Sequence, residues 1–73
     1  MDKNELEALE VDVLLDAIWR RYGYDFRSYA RASIERRTRQ FLSTCAAATV
    51  AELIGRVLHD EDLFSRLAQY YSV

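Results

Sequence analysis

The chain has no proline, two glycines, one cysteine and one histidine among 73 residues, and each shortage removes a class of function. Gly23 and Gly55 stand alone, so no glycine-rich loop exists to cradle a phosphate or a dinucleotide. A single cysteine, Cys45, excludes an internal disulfide, and no Cys/His pairs stand at zinc-ligand spacing. No metal site or cofactor site is expected in this chain, and a reducing, cytoplasmic setting is. The longest uninterrupted small or apolar run, "CAAATVA", is far too short to cross a bilayer, and the acidic start "MDKNELEALE" lacks the apolar core of a signal peptide.

What is present reads as a small helical globule. Half the residues are apolar (51%) and 30% are charged, a balance that excludes disorder and bounds one domain over residues 1–73. At this size a core without disulfide or metal sits near the lower limit of stability.

The net charge of −2 hides a strong segregation. Residues 1–19 hold one lysine against six acids, residues 20–39 hold seven arginines against two acids, and residues 40–73 hold two arginines against four acids. The basic middle third is the anomaly.

Apolar spacing and capping residues predict four helices. Val11, Leu14, Leu15, Ile18 and Tyr22 form one face of the first, with Asn4 and Glu7 as its capping pair and Arg20, Arg21 and Gly23 at its end. "YGYDFRSY" reads as a turn, with Asp25 or Ser28 as alternative caps of the second helix. At about 100° per residue, Ala30, Ile34, Thr38 and Phe41 share one stripe of that helix, Arg36, Arg39 and Gln40 lie opposite, and Arg31 and Arg37 flank them. The third helix opens with the capping box Thr49–Glu52 and buries Val50, Leu53, Ile54, Val57 and Leu58. Asp60 caps the fourth, whose face is Leu63, Phe64, Leu67, Tyr70 and Tyr71. No strand-like alternation, repeat or linker appears, so the expected fold is all-α: a compact four-helix domain with short connections.

Catalytic chemistry needs converging groups, and none converge here. His59 lies at the end of the third helix, where a cation suits the dipole, and reads as structural. Cys45 has no basic residue within five positions and reads as an ordinary semi-buried thiol rather than a nucleophile. Trp19, Tyr22, Tyr24, Phe26 and Tyr29 cluster around the first turn as the plug of a small core or, alternatively, as a recognition surface, with Tyr24 and Tyr29 expected to be partly exposed.

The arginines carry the functional signal. Arg20, Arg21 and Arg27 are expected to pair with acids of the first helix or to terminate it. Arg36 and Arg39 have only Glu35 as a nearby acid in their own helix, which leaves positive charge over. Guanidinium suits planar, bidentate contacts to carboxylates or phosphates. Two partners fit: an acidic protein helix, or a nucleic-acid backbone. The overall acidity argues against nucleic acid, because the flanking thirds would be repelled.

The runs "IWRRYGYDFRSYARASIERRTRQFL" and "AELIGRVLHDEDLFSRLAQYYSV" resemble the N-terminal helical domain of CheR-type chemoreceptor methyltransferases, over nearly the whole chain. The aromatic-glycine turn with "YDF", the arginine cluster and the "VLHDEDLFSRL" join carry the likeness. The resemblance implies a two-part enzyme in which a larger α/β domain binds S-adenosylmethionine and methylates glutamates on chemotaxis receptor helices. It implies that this domain docks the acidic methylation region. Arg36 and Arg39, with Arg31 and Arg37 beside them and Gln40 on the same face, match the family's basic surface. Regulation through contact with the parent's own cofactor domain is a further possibility.

Two departures stand out. Relatives run through a Leu-Gly turn after the arginine helix, whereas this chain reads "LSTCAAATV". The chain also stops at "YYSV", where relatives enter the segment that begins the cofactor site, so it reads as one domain of a larger protein. No catalytic residue is expected in it, since a small packed bundle has no cavity to hold the cofactor in line with an attacking carboxylate.

Overall fold

A computed structural model describes residues 1–72. It has four helices, α1 (Lys3–Tyr22), α2 (Arg31–Thr44), α3 (Val50–His59) and α4 (Glu61–Ser72), and no strand among the described residues. α1 packs chiefly on α3, and α2 lies on α4 and α3. Val11, Leu14, Leu15 and Ile18 of α1 meet Ile34 and Phe41 of α2, Val50, Leu53 and Val57 of α3, and Leu63, Phe64, Leu67 and Tyr71 of α4 in one core. Ile54, Leu58 and Tyr70, expected in the core, sit half-buried at its edge.

The caps explain where the helices begin and end. Thr49 Oγ1 accepts the Glu52 amide at 3.1 Å and Asp60 Oδ1 accepts the Leu63 amide at 3.0 Å, as expected from sequence. Gly23 closes α1 in the left-handed region (φ 78°), its N–H bonded to the Trp19 carbonyl at 2.9 Å. The start of α1 differs from expectation. Asp2, not Asn4, is its cap, taking the Glu5 amide at 2.8 Å, because its carboxylate both accepts the orphan amide and suits the positive helix end.

α2 also starts differently. Neither Asp25 nor Ser28 caps it, and Ala30 occupies the cap position with no side-chain acceptor. Asp25 instead folds the preceding turn on itself, accepting both the backbone N–H (2.9 Å) and the Nε (2.9 Å) of Arg27. Because Ala30 precedes the helix, it is exposed rather than part of the apolar stripe.

The α2–α3 connection shows what the missing glycine costs. Ala46 stands at φ 57°, and the Ala47 N–H reaches back to the Leu42 carbonyl at 3.0 Å. That is a Schellman-type C-terminus with alanine where glycine fits best.

The aromatic cluster divides. Phe26 is buried, and Tyr22 stacks on Phe64 at 4.0 Å between centroids. Both act as the plug. Tyr24 and Tyr29 are partly exposed, and Trp19 also lies 43% exposed, covered on one side by the Arg27 guanidinium. A single exposed indole under a cation is stabilised without being buried.

Candidate functional site

Periodicity places Ala32, Arg36, Arg39, Gln40 and Ser43 along the outward side of α2, and all five are exposed. Ile34, Thr38 and Phe41 hold the opposite side in the core. The arginines of the helix differ in what they touch.

Arg31 is fully engaged. Its Nε donates to Glu35 Oε2 at 2.7 Å, one Nη to Asp12 Oδ1 at 2.6 Å and the other to the Ala8 carbonyl at 2.7 Å, so one fork ties α2 to α1. Partial burial works against its charge, yet the hydrogen bonds to Glu35 and Asp12 outweigh that and raise its pKa above the ordinary value. Arg37 points the other way and donates to the last carbonyls of α4, at 2.9 Å to Tyr71 and 3.4 Å to Tyr70. Both residues act as rivets within the fold.

Arg39 stands between. Glu7 of α1 lies 3.4 Å from its Nε, while about half of the arginine side chain (49%) remains in solvent. The acid that meets it thus comes from another helix, where the sequence suggested only Glu35. Arg36 is exposed and has no ion-pair or hydrogen-bond partner among the described residues, and the same holds for Gln40. Of the five residues proposed from sequence, the structure therefore brings Arg36, Arg39 and Gln40 together on an open face. Arg31 and Arg37 line its two edges.

Four of the other five arginines also have structural partners, Arg66 being the exception among the described residues. Arg20 reaches Asp16 at 3.9 Å, and Arg27 pairs with Asp25 at 2.9 Å, which holds the Asp25 carboxyl below its ordinary range. Arg21 Nε donates to the Leu58 carbonyl at 3.3 Å, and Arg56 donates to the Cys45 carbonyl at 2.6 Å. Cys45 is buried, with its thiol over the Leu42 carbonyl. His59 is exposed at the end of α3. Among the described residues no group of His, Cys, Asp and Glu could hold a metal ion, and no helix is long and apolar enough to cross a membrane.

One feature has no local signal in the sequence. Arg66, Gln69 and Tyr70 of α4 face Phe41 and Thr44 of α2 across an open groove of about 390 Å³. Only the packing of α4 beside α2 puts Arg66 near the α2 face.

The all-α domain family of CheR methyltransferases matches residues 9–70, and the chain belongs to that family. A protein of Pseudomonas putida that bears the name of a methyltransferase, Cher3, is 43% identical over 65 residues, covering 89% of this chain and 24% of the relative. The chain thus spans about a quarter of that relative's length. No solved structure gives a significant match.

Proposed function

We propose that this domain docks an acidic helical protein segment, the methylation region of a chemotaxis receptor, against the outer face of α2 and so presents it to an S-adenosylmethionine-dependent glutamate methyltransferase domain. The observation that carries the reading is Arg36: an exposed guanidinium without an acid of its own, beside the half-solvated Arg39 and the amide of Gln40. Helix-borne arginines of this kind offer planar donors to glutamate carboxylates. Arg31 and Arg37 hold the face at its edges and set its position against α1 and α4. The role of the domain is positioning, and the methyl-transfer chemistry belongs to the cofactor-binding partner domain.

Exposed ion pairs contribute about 0–1 kcal/mol each, so the domain alone should bind such a segment with a Kd in the high micromolar to millimolar range. An amide-shift titration with a helical peptide from a receptor methylation region tests this. The expected shifts map to α2 and disappear when Arg36 and Arg39 are both changed to alanine. Absence of peptide shifts, with the same arginines responding to duplex DNA, would overturn the reading in favour of a nucleic-acid module.

A further inference from the structure

α4 runs antiparallel along α2. Arg37 meets the Tyr71 carbonyl (2.9 Å), Thr38 meets the Tyr71 hydroxyl (2.7 Å), and Phe41 packs edge-on against Tyr70 (5.5 Å). Toward the C-terminal end of α2 the pair opens into the groove lined by Phe41, Thr44, Arg66, Gln69 and Tyr70. Its floor is aromatic and its rim is polar.

The charge along α2 is unequal on its two sides. Toward α1 the guanidinium groups are compensated, Arg31 by Asp12 and Glu35, and Arg39 by Glu7. On the outward side of α2 and on α4 itself, two are not. Arg36 at one end and Arg66 at the other are both exposed, and neither has an ion-pair partner among the described residues, Asp62 one turn before Arg66 included. Arg66 lines the groove beside Thr44, eight positions along α2 from Arg36, a separation of about 12 Å at 1.5 Å per residue. A helix laid along this line would present carboxylates about two turns apart to the two cations. A side chain on the same face between them would pass Gln40 and reach the groove edge at Thr44 and Tyr70.

We propose that the seat of the acidic segment is the α2/α4 groove rather than α2 alone, and that it reads a pattern: two carboxylates two helical turns apart with an aliphatic or aromatic side chain between them. Arg66 is then a docking residue alongside Arg36, and Gln40 and Gln69 supply amides at the rim. The inference rests on the docking reading above and adds the partner's spacing to it. Acidic residues alone would satisfy the arginines, but the aromatic floor gains from a side chain that removes it from water.

The test uses the chain with three designed helical peptides, followed by amide shifts. One carries glutamates seven residues apart with leucine midway, the second replaces that leucine by alanine, and the third keeps the composition with the glutamates adjacent. The first should bind most tightly, with shifts at Thr44, Arg66, Gln69 and Tyr70 as well as Arg36. Loss of the leucine should weaken binding about fivefold, and Arg66→Ala should weaken it two- to fivefold, about what an exposed pair contributes. Thr44→Trp, which fills the groove from an exposed position, should abolish the preference for leucine over alanine. If Arg36→Ala weakens binding while Arg66→Ala and Thr44→Trp change nothing, the groove proposal is overturned and docking on α2 survives. If none of the peptides shifts α2 or α4, both fall.

Discussion

Ala46 shows strain held by a single residue. An L-residue in the left-handed region costs about 1–2 kcal/mol, and glycine escapes most of that at the expense of a more flexible unfolded chain. Because the Ala47 N–H to Leu42 carbonyl bond requires that conformation, Ala46→Gly should raise stability by about 0.5–1 kcal/mol, read as a higher midpoint in urea unfolding at unchanged slope. Tyr71 is the second case. Thr38 has one hydroxyl proton and donates it to the Ile34 carbonyl at 2.7 Å, so the Tyr71 hydroxyl is the donor in the 2.7 Å bond between them. Burial pushes the Tyr71 pKa up from 10.0 to about 12. The folded state then holds its proton more tightly than the unfolded state. This contribution is fully present below pH 10.0 and is lost as pH rises to about 12, at up to about 1.4 kcal/mol per pH unit. Denaturant midpoints measured across that window should fall, and Tyr71→Phe should remove this component of the fall.

At the scale of the helix, arginine is used here as a terminator. The last carbonyls of a helix have no partner within it, and a guanidinium from a neighbouring element can supply one. Arg21 serves α3 through Leu58, assisted by the Tyr22 hydroxyl on the Val57 carbonyl at 2.6 Å, and Arg37 serves α4 through Tyr70 and Tyr71. Arg56 serves the C-terminal cap of α2 through Cys45. Arg37→Ala should therefore destabilise the domain by about 1–2 kcal/mol, the worth of a charged hydrogen bond at a helix end. Arg36→Ala, one residue away, should lie within about 0.5 kcal/mol of wild type. Thermal unfolding of the two variants side by side checks the division between rivet and free cation. Equal losses would contradict it.

The whole molecule is compact, with a Cα radius of gyration of 11.1 Å against about 11.2 Å expected for a chain of this length. Such a body places the acids of α1 within reach of α2, where Asp12 and Glu7 take up Arg31 and Arg39 and trim the basic face to its outer and α4-facing parts. The remaining field is that of exposed charges, which salt screens over about 10 Å at 0.1 M. Affinity for an acidic segment should fall about tenfold between 0.05 and 0.5 M salt, and repeating the peptide titration at both concentrations checks it. A salt-independent remainder, carried by the aromatic groove, should persist for peptides with a central leucine.

Local chemistry wrote much of this into the sequence. Thr49 and Asp60 are caps because their side chains reach an amide three residues on, Gly23 ends α1 because it alone enters the left-handed region without penalty, and the apolar stripes follow from helical period. The same local patterns carried the family resemblance, through the aromatic-glycine turn and the join of the last two helices. The fate of each arginine was not legible there. A guanidinium on a long stem finds its partner across the fold: Arg31 at Ala8 and Asp12, Arg37 at Tyr70 and Tyr71, Arg39 at Glu7, and Arg66 beside Thr44. Two of those partner sets include backbone carbonyls, which every residue has and no sequence marks. Which arginines are rivets and which are free was decided only when four helices were packed, since packing alone determines the acid or carbonyl within reach.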